Sequence, residues 1–338
     1  MQRFIVERLL LMVPTFIAIA ALIFLTIQLP PGDILSNEIA ELQAQGDSAA
    51  AAKIEFLRRE HALDRSLVEQ FGIWLGVWPG PRGFSGLLQG DLGTSFEFNK
   101  PVADVVGYAL GPTIWVNVLA VYLLSIPLGV LAAVRQNGFL DYLIAVFAYV
   151  AVATPGFLLA LLVLSYSNAW FGMSIGGLID PDLADRWWTA EGLASVAAHG
   201  AVAVVVIAFS GVGSMTRRLR ANVLDELNKP YVVAARARGI SETRLLVRYP
   251  VRMALIPFVA DIGNLLPSLV SGSVIVSVVL SLPTVGPILV RALQAQDLFL
   301  SGFILLFAAG LTLIGTLVSD LLLALIDPRV RLGKALDR

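Results

Sequence analysis

The 338-residue chain contains no cysteine and only two histidines. The missing thiols exclude disulfides, thiolate metal sites, cysteine nucleophiles and lipoprotein anchoring, and they fit any compartment. His61 and His199 stand alone in the sequence, and each reads as a structural residue. No His/Cys/Glu group has metal-ligand spacing, no Gly-x-Ser-x-Gly elbow occurs, and no Gly-x-x-x-x-Gly-Lys-Ser/Thr loop can cradle phosphates. No enzyme activity and no metal or cofactor bound by this chain are therefore expected. Charge is scarce as well. Charged residues make up 14% of the chain, against about 25% in ordinary soluble domains. The net charge of −1 gives no footing for nucleic acid, so only the distribution of charge carries information.

Apolar residues fill the space. They account for 57% of the chain, with a mean hydropathy of +0.80. Runs of about 20 apolar residues cross a bilayer as helices, so the class is an all-α, multi-pass membrane protein surrounded by lipid. Six spans are placed at about 9–29, 112–134, 142–168, 193–213, 255–282 and 301–326. The N-terminus has basic residues before an apolar core, as a signal peptide does, but that core is too long and no cleavage site follows; it reads as an uncleaved first span. With the N-terminus inside, the cytoplasmic segments hold 16 Lys and Arg and the outside segments 8. Positive residues favour the cytoplasm, so both termini are expected there, with 327–338 as a short tail.

Residues 30–111 then form an extracytoplasmic insertion, with 11 acidic against 6 basic residues. A structureless loop of that length would be unusual; a small folded cap is expected, with a helix from Ile54 to Phe71. In the second outside loop, Trp170, Trp187 and Trp188 read as an interfacial aromatic belt, with contact to a delivered ligand or partner as the alternative.

Intramembrane charge is costly and usually functional. Asp261 and Asp320 fall within spans five and six, where structural pairing near the interface competes with a role in passage. Asp261, Asn264, Ser268 and Ser271 follow 3, 4, 3 spacing, which places them within an arc of about 80° on one helix face. That stripe is either helix–helix glue or the lining of a hydrated pathway. Pro127, Pro155, Pro257 and Pro267 each remove a helix hydrogen bond inside a span.

Arg217 to Pro257 contains a basic segment with internal order. Asn222 to Arg238 reads as a helix divided by Pro230. Gly239 can take the left-handed conformation that ends a helix. Ser241 is a candidate N-cap for a second helix from Glu242 to Tyr249–Pro250. Two short helices rimmed by arginine make a compact knob suited to transmitting force from a soluble partner.

This segment resembles the coupling loop of ABC-importer permeases, Glu-Ala-Ala-x3-Gly, and more closely the version in the dipeptide/oligopeptide/nickel family. Thr216–Arg217, Tyr231–Val232, Ala235–Arg236–Ala237–Arg238–Gly239 and Arg252–Met253–Ala254–Leu255–Ile256–Pro257 carry the likeness. Further landmarks are Glu7–Arg8–Leu9–Leu10, Pro31–Gly32–Asp33, Gly90 to Ser95, and Asp320 to Arg331. Together they span essentially the whole chain in the order of the first, B-type permease of that family. Val233 stands where the motif has an acidic residue, Gly200–Ala201–Val202 where a Leu-Pro is usual, and Leu282–Pro283–Thr284–Val285–Gly286 weakens a Trp-Pro-Gly-Leu-Gly.

The resemblance implies a permease of six transmembrane helices, with its core over 112–326, that pairs with a second homologous permease subunit. Two cytoplasmic ATPase subunits, carrying ATP and magnesium, would bind from below, and an extracytoplasmic solute-binding protein would deliver ligand from above. Within the coupling loop, 216–255, Gly239 would be the turn and Ala234 and Ala235 the close-packed face. Arg236, Arg238 and Arg244 would contact the ATPase, beside Glu242. Short peptides are the expected cargo, with nickel, glutathione or another small solute as alternatives. A secondary transporter would instead be expected to show inverted repeats or mid-membrane ion-coupling carboxylates.

Overall fold

Away from water, a helix satisfies the backbone N–H and C=O groups within the segment itself, and apolar runs dominate this chain. The computed structural model describes residues 2–29, 55–56, 58–59, 62–81, 83–171, 176–260 and 274–326. They are mostly helical. α1 is Gln2–Gln28, α2 is Leu67–Leu75, α3 is Val102–Val134, α4 is Phe139–Ala153 and α5 is Gly156–Phe171. α6 is Ala190–Leu227, followed by α7 (Pro230–Ala237), α8 (Glu242–Arg248), α9 (Pro250–Ala254) and α10 (Ile256–Ala260). α11 (Val274–Val279), α12 (Val285–Gln294) and α13 (Leu298–Ile326) complete the order.

Among the described residues, Val6–Gln28, Ala190–Phe209 and Leu298–Leu322 are each long and apolar enough to cross a membrane. They coincide with the first, fourth and sixth expected spans. The second lies within α3, which starts ten residues before position 112 and carries Pro112 and Pro127 inside it. The middle of the fifth, residues 261–273, and with it Asp261, Asn264, Ser268 and Ser271, lies outside the described residues, as do His61 and the tail from 327.

The expected third span departs from a single rod. α4 and α5 meet at 97°. The cause is local: a residue before proline is pushed out of the helical region, and Thr154 is extended at φ −89°, ψ 119°. Its N–H still donates to Val150 O at 3.0 Å, and its hydroxyl donates to the same oxygen at 2.8 Å. The N–H groups of Leu158 and Leu159 then turn to Pro155 O, starting the new helix. Pro155 thus breaks the span rather than bending it gently.

The chain divides into two compact units, Leu110–Pro287 with Leu311–Arg338, and Gln2–Ala109 with Ile288–Gly310. In the first unit α4 lies along α6 at short range. A Cβ on Gly213 would sit 2.7 Å from Ala148 O, so only glycine allows this approach. Elsewhere in that unit, Ala160, Ala203, Val206, Leu280 and Leu282 form a buried cluster.

In the second unit Phe24 of α1 packs against Phe71 and Trp74 of α2, with ring centroids 5.4 and 5.9 Å apart. Ser66 opens α2 through a capping box: its hydroxyl accepts from Glu69 N, while the Glu69 carboxylate accepts from Ser66 N at 3.0 Å. The expected helix from Ile54 to Phe71 is therefore interrupted. Residues 55–56 and 58–59 are helical, a turn occupies 62–65 with Ala62 at φ 53°, and the chain restarts at Ser66.

A two-stranded hairpin, β1 (Thr94–Ser95) and β2 (Lys100–Pro101), begins at the last two residues of the Gly-Asp-Leu-Gly-x-Ser landmark. It is tied to the start of α13. Asp297, fully buried, accepts from Ser95 Oγ at 2.6 Å and Phe96 N at 2.8 Å through one carboxylate oxygen. The other oxygen caps α13 by accepting from Leu300 N at 3.1 Å.

Candidate functional site

The knob is built by a succession of local stops. α6 ends at Leu227, and Pro230 takes the first turn of α7, where its missing N–H costs nothing. Glu226 fastens this corner: Lys229 Nζ donates to one carboxylate oxygen at 2.8 Å and the Tyr231 hydroxyl donates to the other. Burial alone pushes the Glu226 carboxyl up, but these two donors outweigh it and hold it below the usual glutamate range. Burial, reinforced by the bond to Glu226, pushes the Tyr231 phenol up.

α7 buries Val232 and Ala235 and leaves Ala234 exposed. Of the two alanines expected to pack closely, only Ala235 packs inside this chain, because the two lie about 100° apart around the helix. Gly239 follows at φ +77°, and a Cβ there would meet nothing within 4 Å. Its requirement is thus conformational rather than steric crowding. The turn sends the chain into α8 at Ser241, which sits at φ −60°, ψ 140° but makes no side-chain capping bond. Leu245 N donates instead to Ser241 O at 2.8 Å.

α8 returns across α7. Leu245 is fully buried against Val232 and Ala235, with Ile240 and Tyr249 around it. Arg236 and Glu242 close the outer side in a fork, Nε to Oε1 at 2.6 Å and an Nη to Oε2 at 3.2 Å. Both side chains are about half exposed, so this pair orients more than it stabilises. The Arg236 hydrogen bond holds the Glu242 carboxyl below its usual range. Arg238 and Arg244 are exposed on the rim.

The knob continues into the core of its unit. Tyr249 at φ −116°, ψ −81° redirects the chain into α9, which begins at Pro250. Ala254 and Phe258 pack with Met215, Leu219 and Val223 of α6 and Ala133 of α3. Asn222 Nδ2 donates to Ala254 O at 3.3 Å, and the Arg218 guanidinium covers the Phe258 ring at 4.9 Å. The end of α9 and the start of α10 are thus packed directly onto α6 and α3.

Sequence reasoning missed one anchor of this region. Arg220 of α6 donates Nε to Asp141 Oδ1 at 2.6 Å and an Nη to Oδ2 at 2.7 Å, and Asn137 N also donates to Oδ2 at 2.9 Å. Asp141 lies in the first turn of α4, where an acidic residue suits the helix dipole. That position was the only available signal. Asp320, the expected charge of the sixth span, is half-buried near the end of α13. Trp187 and Trp188 are exposed and pack edge to face, their centroids 6.3 Å apart. His199 is buried, its Nδ1 2.8 Å from Ser195 O, in keeping with a structural residue. Among the described residues no three His, Cys, Asp or Glu side chains gather as metal ligands would.

Comparison with known proteins places these features in context. Residues 125–332 match the family described as binding-protein-dependent transport system inner membrane component. The chain is 32% identical over 335 residues to glutathione transport system permease proteins of Pectobacterium atrosepticum and Escherichia coli (strain K12), covering 98% of this chain and 99% of each relative. It is 29% identical over 337 residues to an oligopeptide transport system permease protein of Bacillus subtilis, with the same coverage.

Proposed function

Since the chain belongs to the family of binding-protein-dependent transport system inner membrane components, and is a permease component rather than an enzyme, we propose that it forms half of an ATP-driven import pathway for short peptides. The observation that carries this reading is the knob. Two short helices locked by Leu245 connect directly, through Ala254 and Phe258, to the helix ends packed on α6. A soluble motor pressing on α7 and α8 has a stiff route into the membrane domain.

In this reading six spans place both termini in the cytoplasm, and residues 30–111 form the extracytoplasmic cap. Residues 112–326 make the core, 216–255 the coupling loop and 327–338 the tail. A second homologous permease completes the pathway, two ATPase subunits holding ATP and magnesium dock on the knob, and a solute-binding protein docks outside. Arg238, Arg244 and Ala234 are exposed and available to an ATPase surface, while Arg236, Glu242 and Ala235 hold the knob in shape. Gly239 supplies the turn. Asp261, Asn264, Ser268 and Ser271 line the pathway.

Peptide cargo is supported by relatives whose names assign them oligopeptide and glutathione transport; glutathione is itself a tripeptide. Uptake of labelled short peptides into vesicles containing the reconstituted complex tests the proposal. Uptake that needs ATP and the binding protein supports it. Uptake driven by an ion gradient without ATP overturns it in favour of a secondary transporter.

A further inference from the structure

The first unit carries a second basic feature beside the knob. Between α4 and the end of α6 lies a groove of about 830 Å³, lined by Asp141, Tyr142, Tyr149, Arg217, Arg218 and Arg220 among others. That volume is within the range of small-molecule sites. Among the described residues its only lining carboxylate, Asp141, is held by Arg220 through both oxygens. The lining therefore carries three guanidinium groups against one carboxylate and is net positive. The Arg217 guanidinium rests over the Tyr149 ring at 5.0 Å. Tyr142 and Tyr149 line the groove and are both 63% exposed.

Position along α6 matters as much as charge. From Gly192 to Thr216 the helix has no Asp, Glu, Lys or Arg, so Arg217 is the first such residue past the apolar run. Arginine and tyrosine at that level are the residues that sit among lipid head groups. A guanidinium fork also matches phosphate oxygens two at a time.

We propose that this groove between α4 and α6 binds the phosphodiester head group of an anionic phospholipid of the cytoplasmic leaflet, through Arg217 and Arg218. The placement in that leaflet rests on the topology given above; the binding itself does not. Arg217 and Arg218 contact the phosphate from the α6 side, and Tyr142 and Tyr149 lie along the acyl–glycerol boundary. The Arg220–Asp141 pair forms the floor and keeps the carboxylate from repelling the lipid. Bound there, the lipid bridges α4 and α6 beside the knob.

The experiment is native mass spectrometry of the assembled complex in detergent, titrated with phosphatidylglycerol or phosphatidylcholine. The wild type is expected to prefer phosphatidylglycerol by roughly tenfold or more, and R217Q/R218Q to lose that preference. R217Q and R218Q singly carry the same test, each with a partial loss, if the double variant fails to assemble. R217K/R218K keeps both charges and is expected to keep most of the preference. Equal binding of the two lipids by the wild type, or an undiminished preference in R217Q, R218Q and the double variant, overturns the proposal. So does loss of the second permease subunit with lipid preference intact, which would make the groove a protein interface. Because the chain has no cysteine, thiol labelling of N137C in intact cells separately tests the leaflet. Labelling from outside would sink the topology and leave the lipid site standing.

Discussion

Arg220 and Asp141, 79 residues apart in sequence, form a two-pronged ion pair with contacts of 2.6 and 2.7 Å that fastens the start of α4 to the far end of α6. Asp141 is nearly fully buried, while the arginine side chain remains about one-third exposed. Breaking a buried pair from one side is costly because it leaves the other charge without its partner. Arg220→Gln is expected to destabilise the first unit by about 2–3 kcal/mol, less than for a fully buried pair because water reaches the arginine. Asp141→Asn should cost less, since it removes the stranded charge. A thermal unfolding series including the double variant checks this; additive losses would mean the two residues do not act together.

Gly239 has a different dependence on its replacement. Its left-handed backbone and open surroundings mean that any side chain fits in space but strains the turn by about 1–2 kcal/mol. Gly239→Asn should be tolerated best, because asparagine visits this region, and Gly239→Val worst. Gly239→Val is expected to reduce ATPase co-purification or transport several-fold while the protein still inserts. Unchanged assembly and transport in that variant would remove the turn from the mechanism.

The knob's pH response has a defined sign. Glu242, bonded by Arg236, and Glu226, bonded by Lys229 and Tyr231, are both held below the ordinary glutamate value of 4.5. A depressed carboxyl contributes stability that is present above its unfolded value and lost as pH falls through the folded one. Tyr231, raised above its ordinary 10.0, contributes stability that is lost as pH rises past that value. Hydrogen exchange of amides in 230–248 should therefore be uniformly protected across neutral pH and rise below about 4.5 and above about 10. A protection step near pH 6 or 7 would contradict these assignments.

Asp297→Ala removes the acceptor for Ser95 Oγ and Phe96 N together with the cap on Leu300 N. Leaving buried donors unpaired costs about 1–3 kcal/mol. The loss should be confined to the hairpin and the first turn of α13. Proteolysis between 94 and 101 should accelerate while the knob stays protected; equal loosening of both would show that the effect is global.

The proposed pathway role of Asp261, Asn264, Ser268 and Ser271 is testable in the naturally cysteine-free background. Cysteine at 261, 264, 268 or 271 should react with a water-soluble thiol reagent at least several-fold faster than cysteine on the opposite face. Equal reactivity on all faces would leave the stripe as helix packing.

Much of the knob was legible in the sequence because its boundaries are set by single residues. Pro230 and Pro250 each begin a helix, and Gly239 ends one. The third span was only half legible. Pro155 announced a disturbed helix, but whether a proline gives a mild kink or a 97° break depends on the path taken by Thr154 and its neighbours. The expected helix from Ile54 to Phe71 failed for a related reason: its apolar pattern hid the Ser66–Glu69 capping box, which restarts the chain.

The sequence by itself determined the membrane class, most of the helical segments and the form of the two-helix knob. Each follows from forces acting within a few residues: apolar runs that need lipid, prolines without an N–H, and a glycine free to turn left-handed. Only the tertiary structure decided that Asp141 meets Arg220, that Ser95 meets Asp297 across 202 residues, and that three arginines and two tyrosines share one groove. A charged or polar side chain carries no local mark of its distant partner. That choice is made when helices pack and a buried carboxylate must find donors to offset its lost water.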